Sequence, residues 1–233
     1  MTDRAWRQLA IPFEHRAALG EEDFLVSEGS REAVAWIDRW PDWPSHALAI
    51  HGPAGCGKSH LAQVWRRRAA ARVVPAAALA ATRPDRLLGA AKAVAVEDAD
   101  RGTDERAMLH LHNLVREEGG HLLLTGRQAP ARWRIALPDL ASRLAAMPAV
   151  AVGRPDDDLI AAVLIKQFDD RQLRVPPEVI GFLVRRMERS FAAIAETVAA
   201  LDSLSLAERR NITTPLARRV LDRLRQTEID LGD

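Results

Sequence analysis

An eight-residue motif constrains the fold of this chain more than any other feature of its sequence. Residues 52–59 match the pattern G-x-x-x-x-G-K-[ST], and they are Gly52, Pro53, Ala54, Gly55, Cys56, Gly57, Lys58 and Ser59. A short apolar run at 47–51 precedes the motif, and a helical pattern at 58–71 follows it. The order of strand, glycine loop and helix is typical of phosphate-binding loops in parallel sheets. The sequence therefore predicts an α/β fold built around a phosphate site.

The residue types of this motif indicate which ligand it holds. Glycines let the backbone curve until successive N–H groups point at phosphate oxygens. In such loops the ammonium of Lys58 reaches the β- and γ-phosphates, and the hydroxyl of Ser59 binds Mg²⁺. His60 lies at the start of the following helix, whose N-terminus adds partial positive charge. The motif therefore predicts a phosphate-bearing nucleotide together with Mg²⁺.

Apolar runs alternate with helical patterns from residue 14 to about 154, as expected for a parallel sheet covered by helices. The predicted strands are 47–51, 72–76, 93–97, 121–125 and 149–152, and the predicted helices include 29–40, 58–71, 103–118 and 139–146. Beyond residue 155 only helical patterns remain, at 156–172, 176–187, 190–204 and 214–226. We therefore predict a flexible tail at 1–13, an α/β domain at 14–154 and a small all-helical lid domain at 155–233.

Composition excludes several classes of protein. The chain has 33 basic and 32 acidic residues, and this balance gives no argument for a nucleic-acid partner. Its one cysteine, Cys56, cannot form an intrachain disulfide and favours a reducing compartment. Because no run of 18 apolar residues and no signal-peptide pattern occurs, we expect a cytoplasmic protein without a membrane segment.

Two predicted strands end in polar residues that suit a phosphate site. Glu97 and Asp98 follow an apolar run, where Glu97 would face the metal and Asp98 would polarise the attacking water. Thr125 ends the next strand and is a candidate for sensing the γ-phosphate. The acidic residues also have a second interpretation, because carboxylates such as these and Asp100 are common at the start of a helix.

One helical arginine lies outside the apolar stripe of its helix. Leu140 and Leu144 are four positions apart and share one face, which leaves Arg143 off that face. An arginine in this position can reach the nucleotide of a neighbouring subunit and stabilise charge in the transition state of hydrolysis. The simpler interpretation is a solvated surface arginine, which is the more common case for an isolated sequence.

With these motifs in this order and a helical domain after them, the chain resembles the AAA+ ATPases. Within them it is similar to the DnaA-related family, which contains the replication initiator DnaA and the shorter regulator Hda. The narrower resemblance rests on residues 22–26, 30–31, 52–59, 140–144 and 210–215. By this resemblance Phe24 and Val26 lie at the entry to the nucleotide site.

Two features resemble the Hda group more than the initiators. The chain ends at Asp233, where DnaA continues into a helix-turn-helix domain, so we expect no direct sequence-specific DNA binding. Near the N-terminus, a segment is similar to peptides that dock on the replicative sliding clamp: Gln8, Leu9, Ala10, Ile11, Pro12 and Phe13. Its glutamine can hydrogen-bond, its large apolar residues can fill a pocket, and its proline restricts the free peptide. The alternative is that these apolar residues pack on the domain itself.

The resemblance implies an adaptor that acts on the nucleotide of another protein. Bound to the sliding clamp, it would meet ATP-bound DnaA, and Arg143 would promote hydrolysis of that ATP in trans as an arginine finger. Such hydrolysis would prevent a second initiation of DNA replication. ADP in the chain's own loop would support the active form. A homodimer or a head-to-tail oligomer is expected, since AAA+ domains commonly assemble in that way.

Departures from the family pattern argue against efficient ATP hydrolysis by the chain itself. Glu97 replaces the usual aspartate, and Gly126 and Arg127 stand where the initiator has a polar and an acidic residue. Ala192 stands where the lid arginine of the initiator is expected, and Arg189 is the nearest alternative. The competing hypotheses are a self-acting AAA+ ATPase, such as a helicase-loader-like motor, and, with less support, a truncated initiator that binds DNA.

Overall fold

A parallel sheet of five strands organises the first unit of the chain, Arg16 to Arg154. The computed structural model describes residues 15–16, 24–82 and 84–230. Two short strands, β1 (His15–Arg16) and β2 (Phe24–Leu25), pair with each other. The larger sheet contains β3 (Ala47–His51), β4 (Arg72–Pro75), β5 (Ala93–Glu97), β6 (His121–Gly126) and β7 (Ala149–Ala151). Its spatial order is β4-β5-β6-β3-β7, and every neighbouring pair is parallel.

The central strands form because their apolar runs are covered on both faces. The first four residues of β3 and of β5 are all buried, which is the pattern of internal parallel strands. Alternate side chains of β3 enter different cores: Leu48 and Ile50 enter one, while Ala47 and Ala49 enter the other. The outer strand β4 is only partly buried, as expected at a sheet edge.

Helices pack on both faces of this sheet. The bounds are α1 (Arg31–Arg39), α2 (Lys58–Ala69), α3 (Pro84–Leu88), α4 (Glu105–Glu117) and α5 (Pro138–Ala145). Ile37 of α1 and Trp65 of α2 belong to the core on one face, and Met108 of α4 and Leu140 of α5 belong to the core on the other. Short 3₁₀ helices occur at Glu28–Ser30, Ala76–Ala78 and Pro130–Arg132.

The second unit contains only helices among its described residues from Pro155 onward. They are α6 (Asp157–Asp170), α7 (Pro177–Val184), α8 (Phe191–Glu208) and α9 (Thr214–Asp230). Side chains from all four helices share one core, represented by Phe168, Leu183, Ile194 and Ala217. Asp156 and Ser190 cap α6 and α8, since each side-chain oxygen accepts a backbone N–H from three residues later.

The predicted fold class, an α/β parallel sheet followed by a helical lid, is confirmed. The bounds differ mainly at element ends: a 3₁₀ turn replaces the predicted start of the helix at 29–40, and α8 continues to Glu208 instead of ending at 204. The five-residue helix α3 was not predicted, because an element this short shows too little periodicity to be recognised.

Candidate nucleotide site and arginine helix

The glycine loop between β3 and α2 is built by close backbone contacts. A β-carbon on Gly52 would lie 2.2 Å from the carbonyl oxygen of Val152, so only glycine fits there without movement. Gly57 has φ of 102° and directly precedes α2, a left-handed conformation that glycine adopts at little cost. The amide of Gly52 donates to the carbonyl of Gly126 at 3.1 Å, which joins the loop to the end of β6.

Lys58 places its ammonium inside the curve of this loop. The side chain is buried, and Nζ donates to the carbonyl oxygens of Gly52 at 2.9 Å and Pro53 at 2.8 Å. Nζ also lies 3.8 Å from the sulfur of Cys56. Burial raises the pKa of the Cys56 thiol, and the nearby ammonium opposes that rise. The loop therefore concentrates positive charge beside the N-terminus of α2, where an anion is favoured.

The remaining predicted loop residues are neighbours of Lys58 in the sequence, and they differ in exposure. Ala54 and Ser59 are exposed, and Gly55 and His60 are half-buried. Ser59 occupies the first turn of α2. Val26, predicted at the entry to the site, is half-buried; Phe24 lies in β2, and its side chain is outside the described residues.

The acidic turn after β5 is joined to the end of β6. The amide of Asp98 donates to the Thr125 hydroxyl at 3.2 Å, and the amide of Ala99 donates to the Thr125 carbonyl at 2.8 Å. Thr125 is almost fully buried, whereas Asp98 is exposed and has φ of 53°. The structure thus brings together the predicted sensor and the predicted water-polarising acid.

Glu97 has the features expected of a metal-facing acid. Its Oε1 atom is buried and has no hydrogen-bond partner among the described residues. A carboxylate oxygen in this state fits Mg²⁺, which takes hard oxygen ligands and is usually held by one or two carboxylates plus phosphates and waters. No group of three or more histidine, cysteine or acidic side chains that could hold a metal occurs in the described part of the chain.

Two further carboxylates, which the sequence predictions did not assign to a site, hold nearby backbone. Asp100 Oδ2 accepts the amide of Arg127 at 2.7 Å, directly after β6. Glu105 accepts the amides of Ala136 at 2.9 Å and Leu137 at 2.7 Å, directly before α5. The only sequence signal for either was its acidic character near the start of a helix, which does not identify the backbone groups it contacts.

Arg143 lies on α5, which we call the arginine helix (Pro138–Ala145). Leu140 and Leu144 bury the opposite face of this short helix, while the Arg143 side chain stays 29 % exposed. Its Nε and Nη2 donate to the two carboxylate oxygens of Asp139 at 2.9 and 3.1 Å. This pair orients the guanidinium by two parallel bonds and does not engage Nη1.

Two histidines, of which His112 is buried and His46 is half-buried, lie in the electrostatic neighbourhood of Arg143. The rings of His46 and His112 are 4.6 Å apart between centroids, and His112 is 4 % exposed. Burial lowers the pKa of His112 to about 4, and the charges of His46, Arg143 and Arg116 act in the same direction, against a small opposing effect of Asp139. Burial also lowers the pKa of His46. The fold therefore favours the neutral form of both rings.

The other predicted functional segments are placed as follows. The sliding-clamp segment, with Gln8, Leu9, Ile11, Pro12 and Phe13, lies outside the described residues. In the lid, Ala192 belongs to the first turn of α8, and Nη2 of Arg189 lies 2.8 Å from Oδ1 of Asp157. Within the lid, Arg189 is therefore already paired with a carboxylate.

The lid and the fold each match known proteins. Residues 156–221 match the family described as Hda, lid domain. Domain III of the replication initiation protein DnaA from Thermotoga maritima superposes with a TM-score of 0.70 at 16 % identity, covering 85 % of this chain and 93 % of that one. The helical unit therefore matches the Hda lid family, and the chain shares the fold of DnaA domain III. Among its described residues, no helix is both long and apolar enough to cross a membrane.

Two further DnaA structures share this fold. AMPPCP-bound DnaA from Aquifex aeolicus gives a TM-score of 0.65 at 17 % identity, covering 89 % of this chain and 68 % of that one. A replication initiator DnaA bound to AMPPCP and single-stranded DNA gives 0.62 at 18 % identity, covering 80 % and 66 %. The chain thus spans about two thirds of the length of these longer initiators.

Proposed function

We propose that this chain is an adaptor that binds the replicative sliding clamp and stimulates hydrolysis of DnaA-bound ATP, which limits initiation of replication. The observation that carries the proposal is the arginine helix, where Asp139 orients a partly exposed Arg143 while its Nη1 stays unengaged by that carboxylate. The Hda-type lid supports the same family of function. In this proposal Arg143 supplies positive charge to the γ-phosphate of ATP held by DnaA.

The chain's own glycine loop binds ADP or ATP with Mg²⁺ in this proposal. When nucleotide is bound, Lys58 would contact its phosphates, Ser59 and Glu97 would hold Mg²⁺ directly or through water, Thr125 would sense the terminal phosphate and Asp98 would polarise the attacking water. The AMPPCP-bound DnaA structures of the same fold support a nucleotide at this place. The bound nucleotide stabilises the active form, and turnover at this site is slow because the family pattern is altered at Glu97, Arg127 and Ala192.

Lys58→Ala is expected to weaken ADP and ATP binding by about 10²-fold, because a buried charge-assisted contact to phosphate is lost. Titration calorimetry in the presence of Mg²⁺ measures this directly. Lys92→Ala is the matched control, since Lys92 is an exposed lysine that pairs with Glu118 at 3.2 Å. Equal affinity for Lys58→Ala and wild type would remove the glycine loop from the proposal.

The adaptor is tested by measuring hydrolysis of ATP bound to the cognate DnaA. Wild-type chain is expected to accelerate this reaction when the sliding clamp is loaded on DNA, and to hydrolyse little ATP alone. The alternative is a self-acting ATPase, which is favoured by the acidic turn that Asp98 and Thr125 form beside the loop. That alternative predicts substantial turnover without DnaA, and loss of this turnover in Asp98→Asn.

The clamp-binding segment is tested separately. Gln8→Ala, or Leu9→Ala with Phe13→Ala, is expected to abolish detectable binding to the clamp and to remove clamp-dependent stimulation, because such peptides bind through few anchor side chains. Surface plasmon resonance with immobilised clamp measures binding. Nucleotide affinity serves as the control and should stay at the wild-type value. Wild-type clamp affinity in these variants would contradict the assignment.

Head-to-tail assembly of the AAA+ units completes the proposal. In such an assembly Arg143 would lie at the partner's nucleotide.

A further inference from the structure

The start of the arginine helix is fixed by a residue of another helix. Leu137 occupies the N-cap position of α5 and has no side-chain oxygen that could accept a hydrogen bond. The two backbone amides before the helix, those of Ala136 and Leu137, instead donate to Oε1 and Oε2 of Glu105 at 2.9 and 2.7 Å. Both carboxylate oxygens are used, so the contact fixes the direction of the backbone as well as its distance.

Glu105 is the first residue of α4, close in sequence to the acidic turn. The Thr103 hydroxyl donates to the carbonyl of Ala99 at 2.8 Å, which secures the segment between that turn and α4. Asp100, in the same segment, holds the amide of Arg127 at 2.7 Å. The stretch from Glu97 to Glu105 therefore contacts both the end of β6 and the start of the arginine helix.

We infer that Glu105 is a positioning residue for Arg143, and that it acts through the backbone of Ala136 and Leu137. This inference rests on the proposed function of Arg143. The arginine helix has only eight residues, and its buried side chains are Leu140 and Leu144. Leu140 and Leu144 anchor one face of this short helix, and the Glu105 carboxylate holds the backbone at its N-terminus.

The expected size of the effect follows from how sensitive catalysis is to placement. A displacement of about 1 Å in a catalytic group can cost about 10²-fold in rate. Loss of the Glu105 contacts moves the helix rather than removing the guanidinium, so binding to DnaA is retained while the rate within the complex falls. A role confined to stability would instead lower the melting temperature without changing the rate of the folded protein.

The test compares Glu105→Ala and Glu105→Gln with a matched control, Asp104→Ala. Asp104 is adjacent in sequence and caps α4 by accepting the amide of Ala107 at 2.9 Å, so its loss weakens the same turn without touching α5. The readouts are the maximum rate of DnaA-bound ATP hydrolysis, the adaptor concentration giving half that rate, and amide hydrogen exchange across residues 138–145.

Glu105→Ala is expected to lower the maximum rate at least tenfold at an unchanged half-maximal concentration, and to speed amide exchange in the arginine helix. Glu105→Gln keeps one acceptor oxygen, so its maximum rate and its amide exchange should lie between those of wild type and Glu105→Ala. Asp104→Ala should keep the wild-type rate and the wild-type exchange in that helix. An unchanged rate and exchange in Glu105→Ala, or an equal loss in Asp104→Ala, overturns the inference while the proposed function stands. Full stimulation by Arg143→Ala overturns both.

Discussion

Replacing Arg143 by alanine is expected to lower the stimulated rate of DnaA-bound ATP hydrolysis by about 10³-fold, which brings it close to the unstimulated rate. A guanidinium supplied in trans stabilises the charge that spreads over the phosphoryl oxygens in the transition state, and removing it costs orders of magnitude. The folded protein should hardly change, since the lost pair with Asp139 is partly exposed and worth about 0.5 kcal/mol. Single-turnover hydrolysis by ATP-loaded DnaA on clamp-loaded DNA measures the effect.

Two further variants separate charge from geometry in this result. Arg143→Lys keeps the charge but loses the planar fork that Asp139 orients, so only a small part of the stimulation should remain. Arg66→Ala is the matched control, because Arg66 is an exposed helical arginine that likewise bonds a side chain one turn earlier, Gln63 at 2.7 Å. Full activity in Arg143→Ala, or an equal loss in Arg66→Ala, would contradict the role of Arg143 as a finger.

The fold could be predicted from the sequence because its strongest signals are local. The glycine motif requires a strand before it and a helix after it, and the apolar runs of β3, β5 and β6 are continuous because both faces of the sheet are covered. The lid helices show Pro or Ser at their starts, and these residues cap or begin α7 and α8 in the structure. Only short elements such as α3 lack a comparable signal.

Only part of the candidate site could be predicted from the sequence, because the rest depends on contacts between residues that are distant in the chain. The loop residues around Lys58 are contiguous in sequence and could be identified from one motif. Glu105 precedes Ala136 by 31 positions and Leu137 by 32 positions in the sequence. Its two carboxylate oxygens accept backbone amides, which every residue except proline carries. No residue type at 136 or 137 can reveal such a contact, so it becomes visible only when the fold brings α4 and α5 together.

His112 shows the same dependence on tertiary structure and has the clearest consequence for stability. Spacing predicts that His110 and His112 lie on different sides of α4, and the structure buries His112 against His46 while His110 stays exposed. The pKa of His112 is lowered from 6.5 to about 4 by burial first, and then by nearby positive charge. The folded protein thus holds this ring neutral over a range in which the unfolded chain protonates it.

The stability of the protein is therefore expected to fall as the pH drops from 6.5 to about 4, because the unfolded state binds a proton there that the folded state does not. The contribution of His112 is complete above pH 6.5, and its loss approaches about 3 kcal/mol near pH 4. His112→Leu should remove that part of the pH dependence, since leucine fills the buried position without a titrating group.

Urea unfolding at several pH values measures the free energy of unfolding for wild type, His112→Leu and the control His110→Leu. The control substitution lies on the exposed side of the same helix and should keep the wild-type pH dependence. His46, whose pKa burial also lowers, remains in every variant and leaves a smaller slope of the same sign. Parallel curves for wild type and His112→Leu would mean that the His112 ring is not held neutral by the fold. The folded protein would then protonate His112 without losing stability, although Arg143 contributes positive charge nearby.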